Sequence, residues 1–310
     1  MFWGALGFLP PPKASESMND VANQLLHELW SRSFLSEYEY LGGACRFKLH
    51  DLVVDLVVYI AKSEFEKIQN HNPNLYKNVH HLILKNDNVL DQALLPSSLR
   101  SIIFPIGANN EDLLNTMVSR CKFLRVLILE SCEYASLPRC IGKLKHLRLL
   151  SLLGNKYLTE VPDSIWKLQN LQTLSLSWCI KLQKLPKGLG NLISLRVLFI
   201  TTKQPVFPEK EASLVALPRW LQRSANSLQS LFIVRCMNLE ELPDWLPTLN
   251  CLKRLSVLDY PKLISLPDNM HHLTNLKLIE VTRSSELWKR YRPEVGQDWH
   301  KISHVNLVLG

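Results

Sequence analysis

The chain has 310 residues, 46% of them apolar, enough to bury a continuous core as one large or two ordinary domains. Lys and Arg number 36 against 28 Asp and Glu, a formal charge of +8 that is spread along the chain rather than gathered into runs; it suits an acidic partner surface, and no nucleic-acid partner is expected. Seven cysteines, an odd number without a C-x-x-C, and the lack of any N-x-[ST] triplet argue against a disulfide scaffold and for a reduced, intracellular, cytoplasmic setting.

The N-terminal M-F-W-G-A-L-G-F-L-P-P-P-K is apolar but has no basic start and breaks into prolines, so it does not read as a signal peptide. Residues 18–32 place Val21, Leu25, Leu26 and Leu29 on one face of a predicted helix. Within it, His27-Glu28 fails as a zinc helix because residue 31 is serine rather than a second histidine. The stretches S-F-L-S-E-Y-E-Y and A-C-R-F-K-L flank the turn L-G-G and predict a β-hairpin, so that helices followed by a hairpin resemble a winged-helix domain. In F-K-L-H-D-L-V-V-D-L-V-V-Y-I-A-K (47–62), Leu49, Leu52, Val53, Leu56, Val57 and Ile60 follow the i, i+3, i+4 spacing of a helix with one buried face. Residues 52–61 are too few to cross a membrane, and no transmembrane segment is expected. His50 and Asp51 fall in the first turn, where free N–H groups and the helix dipole suit a phosphate, although Asp51 suits that end equally without a ligand.

From residue 124 onward the pattern L-x-x-L-x-L-x-x-[N/C] recurs seven times, starting at residues 124, 147, 171, 195, 228, 252 and 276 in steps of 23, 24, 24, 33, 24 and 24. This is the strand signature of a leucine-rich repeat. Each copy is followed by a second motif such as Y-A-S-L-P-R-C-I-G-K-L (134–144), whose leucines and prolines turn the chain to the outer side and bury a second apolar row. Weaker copies at Val79, Leu82, Leu84 and at Leu99, Ile102, Phe104 read as worn first coils. The first, fourth and sixth places point inward. The ninth place holds Cys132, Asn155, Cys179 and Cys236, which are expected to meet backbone groups of the turn rather than a metal, since no histidine accompanies them at ligand spacing.

The remaining strand positions are expected to face the concave side of a horseshoe. They include Glu130, Trp178, Phe199, Phe232, Arg235, Arg254, Asp259 and Arg283, and their aromatics and arginines are the residue types that anchor protein interfaces. The second place reads Arg125, Arg148, Gln172, Arg196, Gln229, Lys253, Lys277 and is never acidic. Either it is a basic edge that docks an acidic domain, or its long aliphatic stems simply cover the edge leucines. The 33-residue step carries its extra residues within 210–226, a loop in which Trp220, Arg219 and Arg223 are candidate contacts.

The combination of F-L-P near the start, L-L-H-E-L-W-S-R-S-F (25–34), F-K-L-H-D-L-V-V-D-L (47–56), repeats with L-P-x-x-I-x-K-L and the ending D-W-H-K-I-S-H (298–304) resembles the plant intracellular nucleotide-binding leucine-rich-repeat immune receptors, most closely the coiled-coil class. The resemblance implies an α/β fold class, a leucine-rich-repeat solenoid preceded by a small winged-helix domain. It divides the chain into a winged-helix domain (1–66) that ends a nucleotide-binding module, a linker with degenerate first repeats (67–120) and the repeat domain (121–310). It equates L-H-D with the family's Met-His-Asp motif, whose histidine contacts bound ADP; the role would fall on His50, supported by Asp51, with Leu49 replacing the usual methionine. The family builds its nucleotide site mainly on an upstream P-loop, and no G-x-x-x-x-G-K-[ST] occurs here, so no cofactor is expected for this chain alone and ADP or ATP only in a full-length receptor. Met1 falls where the family's winged-helix domain is already under way, so the chain reads as part of a longer receptor or as a truncated product. The partners implied are proteins: a pathogen effector or guarded host protein, and the nucleotide-binding module in cis or in trans. A stand-alone scaffold binding a signalling protein is the alternative; no G-x-S-x-G or other catalytic motif points to an enzyme.

Overall fold

The computed structural model describes residues 2–13, 16, 18–41, 44–60, 65–68, 79–84, 95–104, 106–182, 185–201, 217, 219–234, 241–258, 263–282 and 284–309. A short helix, α1 (Phe2–Leu6), precedes α2 (Met18–Ser31), which buries Val21 and Leu26. Helix α2 stops where Ser33 takes a left-handed φ of 60° and the Phe34 amide donates to Leu29 O at 2.9 Å, closing the last turn. The antiparallel hairpin β1 (Leu35–Leu41) and β2 (Ala44–Leu49) follows, then α3 (Asp51–Ile60). The expected burial of one α3 face is not met, because Leu52 is 73% and Tyr59 80% exposed and Leu56 is open as well. The periodicity is that of an amphipathic helix, but among the described residues no element lies over this stripe.

The rest is a solenoid. Strands β3 (Phe65–Ile68), β4 (His81–Leu84), β5 (Ser101–Ile103), β6 (Val126–Ile128), β7 (Leu149–Ser151), β8 (Thr173–Leu176), β9 (Val197–Thr201), β10 (Ser230–Val234), β11 (Arg254–Leu258), β12 (Leu278–Val281) and β13 (Asn306–Leu309) form one parallel eleven-stranded sheet in chain order. The fourth places stand opposite one another across it: Leu127 on Leu150, Leu150 on Leu174, Leu174 on Leu198, and on through Leu231 and Leu255 to Ile279. All are buried in one continuous core. The L-P motifs become 3₁₀ turns, among them Arg139–Lys143, Asp163–Lys167, Lys187–Asn191 and Arg219–Ser224, whose Ile141, Ile165, Leu189 and Leu221 form the second buried row. At the ninth place, Cys132, Asn155 and Cys179 meet backbone carbonyls as expected. Asn155 Nδ2 donates to Leu129 O and, at 2.7 Å, to Leu152 O; Cys179 Sγ takes up Leu152 O at 3.1 Å, and burial pushes its thiol up to about 12.

Elements at both ends of the solenoid depart from the repeat reading. Helix α4 (Glu111–Arg120) lies in the stretch expected to be linker; Asn110 caps it by accepting from the Leu113 amide at 2.9 Å, and Leu113, Leu114, Met117 and Val118 are buried on the core. At the other end, a short helix α5 (Ser285–Arg290) and β13 close the last coil. There Asp298 binds Arg290 Nε at 2.6 Å and Lys301 Nζ at 3.0 Å, and Lys301 also reaches Asp268. Burial alone would raise the Asp298 carboxyl, but the hydrogen bonds and charges of Lys301 and Arg290 outweigh it and hold it below the usual 3.8. Because the folded value is depressed, this contribution to stability is complete above the unfolded carboxylate range and is lost as pH falls through the lowered value. Asp298→Asn is therefore expected to shrink the drop in urea midpoint between about pH 6 and pH 3; an unchanged drop would assign the acid sensitivity to other carboxylates.

Candidate recognition surface

Side chains alternate across a strand, so the third and fifth places share the face opposite the leucine core. Three zones follow one another on it. The fifth places of β4 to β6 are Ile83, Ile103 and Ile128, which with Val126 and Leu149 make an apolar end. Hydroxyl residues come next: Ser151, which donates to Glu130 Oε1 at 2.7 Å, then Thr173 and Ser175. The third zone is aromatic and charged. Phe199 and Phe232 face each other in register on β9 and β10, with ring centroids 4.2 Å apart and planes 13° from parallel. The Arg254 guanidinium lies 5.0 Å from the Phe232 ring and pairs with Glu280 at 2.8 Å; Arg254 Nε donates to Ser256 Oγ, which donates to Glu280 Oε2.

These positions correct the sequence expectation in part. Phe232 is not an exposed anchor, being only 8% exposed beneath Phe199 and Arg254, whose stacking removes it from water. Arg254 is no free cation, since Glu280 neutralises it. Trp178 is exposed but lies in the turn after β8 rather than on the sheet; it has a left-handed φ of 64°, as Ser131 (52°) and Gly154 (75°) do at the same place of the two preceding repeats. The chain must reverse there, and the repeat sets the backbone whatever the side chain. Phe199, the other ring of the stack, is half-buried. Arg235, Cys236, Asp259, Arg283 and residues 210–216 lie outside the described residues.

The basic column of second places is brought together along one margin of the sheet, and it holds the N-terminal segment. Arg125 Nη1 donates to Leu6 O at 2.9 Å, Arg148 Nη1 to Ala5 O at 3.4 Å, and Lys253 Nζ to Glu16 O at 3.4 Å. The acceptors are backbone carbonyls, not the carboxylates of an acidic face. Arg196 and Lys277 complete the column, half-buried and exposed respectively. Sequence reasoning did not single out Ala5 and Leu6, which pack on Val126 and Leu149 as a cluster of their own.

His50 and Asp51 are exposed at the start of α3. The His50 carbonyl accepts from the Val53 and Val54 amides, and its Nδ1 accepts from the Leu52 amide at 3.4 Å, so the imidazole also caps the helix. A groove of about 710 Å³ lies elsewhere, between Leu137, Pro162 and Pro186 of three successive coils. Arg139 and Lys187 of the two outer coils flank Glu160 and Asp163 of the middle one, so its lining carries both signs of charge.

Two family models match, "Disease resistance protein Winged helix domain" over residues 1–57 and "Leucine-rich repeat region" over residues 98–226. The disease resistance protein RGA1 of Solanum bulbocastanum is 35% identical over 156 residues, which cover 50% of this chain and 14% of that protein. The disease resistance protein At1g59780 of Arabidopsis thaliana is 29% identical over 332 residues, covering 89% of this chain and 35% of that one. The chain thus spans about a third or less of the length of these relatives. Among solved structures, the plant peptide hormone receptor RGFR1 in complex with RGF2 aligns with a TM-score of 0.51 at 18% identity, covering 79% of this chain and 37% of the receptor, a likeness of solenoid fold. With a disease-resistance winged helix and a leucine-rich-repeat region matched in that order, the chain is similar to the plant disease resistance proteins over both of its domains.

Proposed function

We propose that the solenoid recognises a pathogen effector or a guarded host protein through the third zone of its concave face, and that the winged-helix unit is the part such recognition releases. The observation that carries this reading is the Phe199–Phe232 stack. It is an aromatic platform whose inner ring is fixed by Arg254 and whose outer ring is half-exposed, the residue type that anchors interfaces. In a longer chain that supplies a phosphate-binding loop, His50 would add one nucleotide contact. Its Nδ1 is held by the Leu52 amide, which directs Nε2 away from α3, and the helix start beside it favours an anion.

A plant cell-death assay in a full-length receptor carrying these two domains tests both parts at once. Phe199→Ala is expected to abolish the response to the elicitor at unchanged protein level, through a loss of about 2 kcal/mol in partner affinity. His50→Ala is expected to give cell death without elicitor. A normal elicitor response in Phe199→Ala would remove the platform, and a quiet His50→Ala would remove the nucleotide contact.

A further inference from the structure

We propose that Val126, Ile128 and Leu149, edged by Arg125 and Arg148, form a peptide seat that α1 fills in cis and that takes in trans an apolar segment ending in a carboxylate. The inference deepens the reading of the concave face as a recognition surface and narrows the partner for its apolar end.

Ala5 and Leu6 are buried on Val126 and Leu149, with Ile128 beside them, on the face away from the leucine core. The seat is therefore filled by an occupant that belongs to neither sheet nor core. The occupant is weakly held by its own structure, because a five-residue helix is marginal in water. Gly7, at a φ of 87°, ends it with its amide on Trp3 O, and the carbonyls of Ala5 and Leu6 are left to the two arginines.

The charges do not balance. Two guanidiniums meet neutral oxygens that carry only the partial charge of a helix end. Burial lowers the Arg125 pKa, and the neighbouring charges of Arg148 and Arg100 lower it further; among the described residues no carboxylate pairs with either arginine. A carboxylate in place of the carbonyls would supply a full counter-charge and the paired N–H···O geometry that arginine offers a carboxylate. The geometry provides the place for it: a Cβ built on Gly7 stands 3.7 Å from Arg125 Nη1 and 3.8 Å from Arg148 Nη1. Whatever follows the second apolar residue of the occupant lies between the two cations.

Such a ligand would displace α1 and free the segment that joins it to α2, while the aromatic platform three strands along stays as it is. The probe is the peptide acetyl-Phe-Trp-Gly-Ala-Leu with a free C-terminal carboxylate, compared with its C-terminal amide by calorimetry on the full chain carrying Leu6→Lys, which sets a cation into the apolar seat and so drives α1 out of it. The acid is expected to bind at least about tenfold more tightly than the amide. Adding Arg125→Gln and Arg148→Gln is expected to erase that difference, and Phe199→Ala to leave it unchanged, so that this seat and the platform fail separately. Equal binding of acid and amide, no binding of either, or a preference that survives loss of both arginines would overturn the proposal.

Discussion

Truncating Leu174 to alanine is expected to lower stability by about 3 kcal/mol, within the range for buried leucines. Leu174 is fully buried and stands in register between Leu150 and Leu198, so its isobutyl group is shared by two interfaces, one with each neighbouring coil. Ile193, 73% exposed beside the same coil, supplies the control, and Ile193→Ala is expected to stay within about 0.5 kcal/mol of the parent. Each coil touches only its neighbours, so the weakening is also local: amides of β7 to β9 should exchange faster while those of β11 to β13 keep their protection. Urea unfolding with hydrogen exchange decides the matter. A loss below about 1 kcal/mol would mean that the fourth-place row does not carry the stacking.

The solenoid was legible because its signal is redundant. Leu127, Leu150 and Leu174 repeat at steps of 23 and 24 residues, and each copy corroborates the next. Elements that occur once had no such support. Helix α4 announces itself through Asn110 and the spacing of Leu113, Leu114, Met117 and Val118, yet it falls between a worn repeat and the first good one, where a linker was the simpler reading. Alternation told which face Phe232 occupies, but not that Phe199, 33 residues earlier, would stack on it. In α3, periodicity identified the stripe that includes Leu52 and Leu56, whereas its burial depends on what packs there, which no periodicity contains. The seat of α1 is the extreme case. Arg125 and Leu6 are 119 residues apart, and nothing in M-F-W-G-A-L-G-F signals that its carbonyls meet two arginines of the solenoid.

The second large effect belongs to the platform itself. Arg254 and Glu280 are about 16% and 12% exposed at their side chains and share the hydrogen bonds of fully buried Ser256, so neither charge has enough water to stand alone. Arg254→Met is expected to cost about 3 kcal/mol, because it leaves the Glu280 carboxylate with Ser256 as its remaining partner and exposes Phe232. Arg254→Met with Glu280→Met is expected to return to within about 1 kcal/mol of the parent, since two well-packed apolar side chains can replace a buried ion pair at little net cost. The difference is a coupling energy, read from the four urea midpoints of a double-mutant cycle. If the double variant is as unstable as Arg254→Met, the pair is not what holds β11 to β12, and the fixed floor under Phe199 loses its physical basis. If it recovers stability, the variant separates two roles: a platform kept rigid by any good packing would still bind its partner, whereas one that needs the Arg254 cation over Phe232 would be stable and unable to bind.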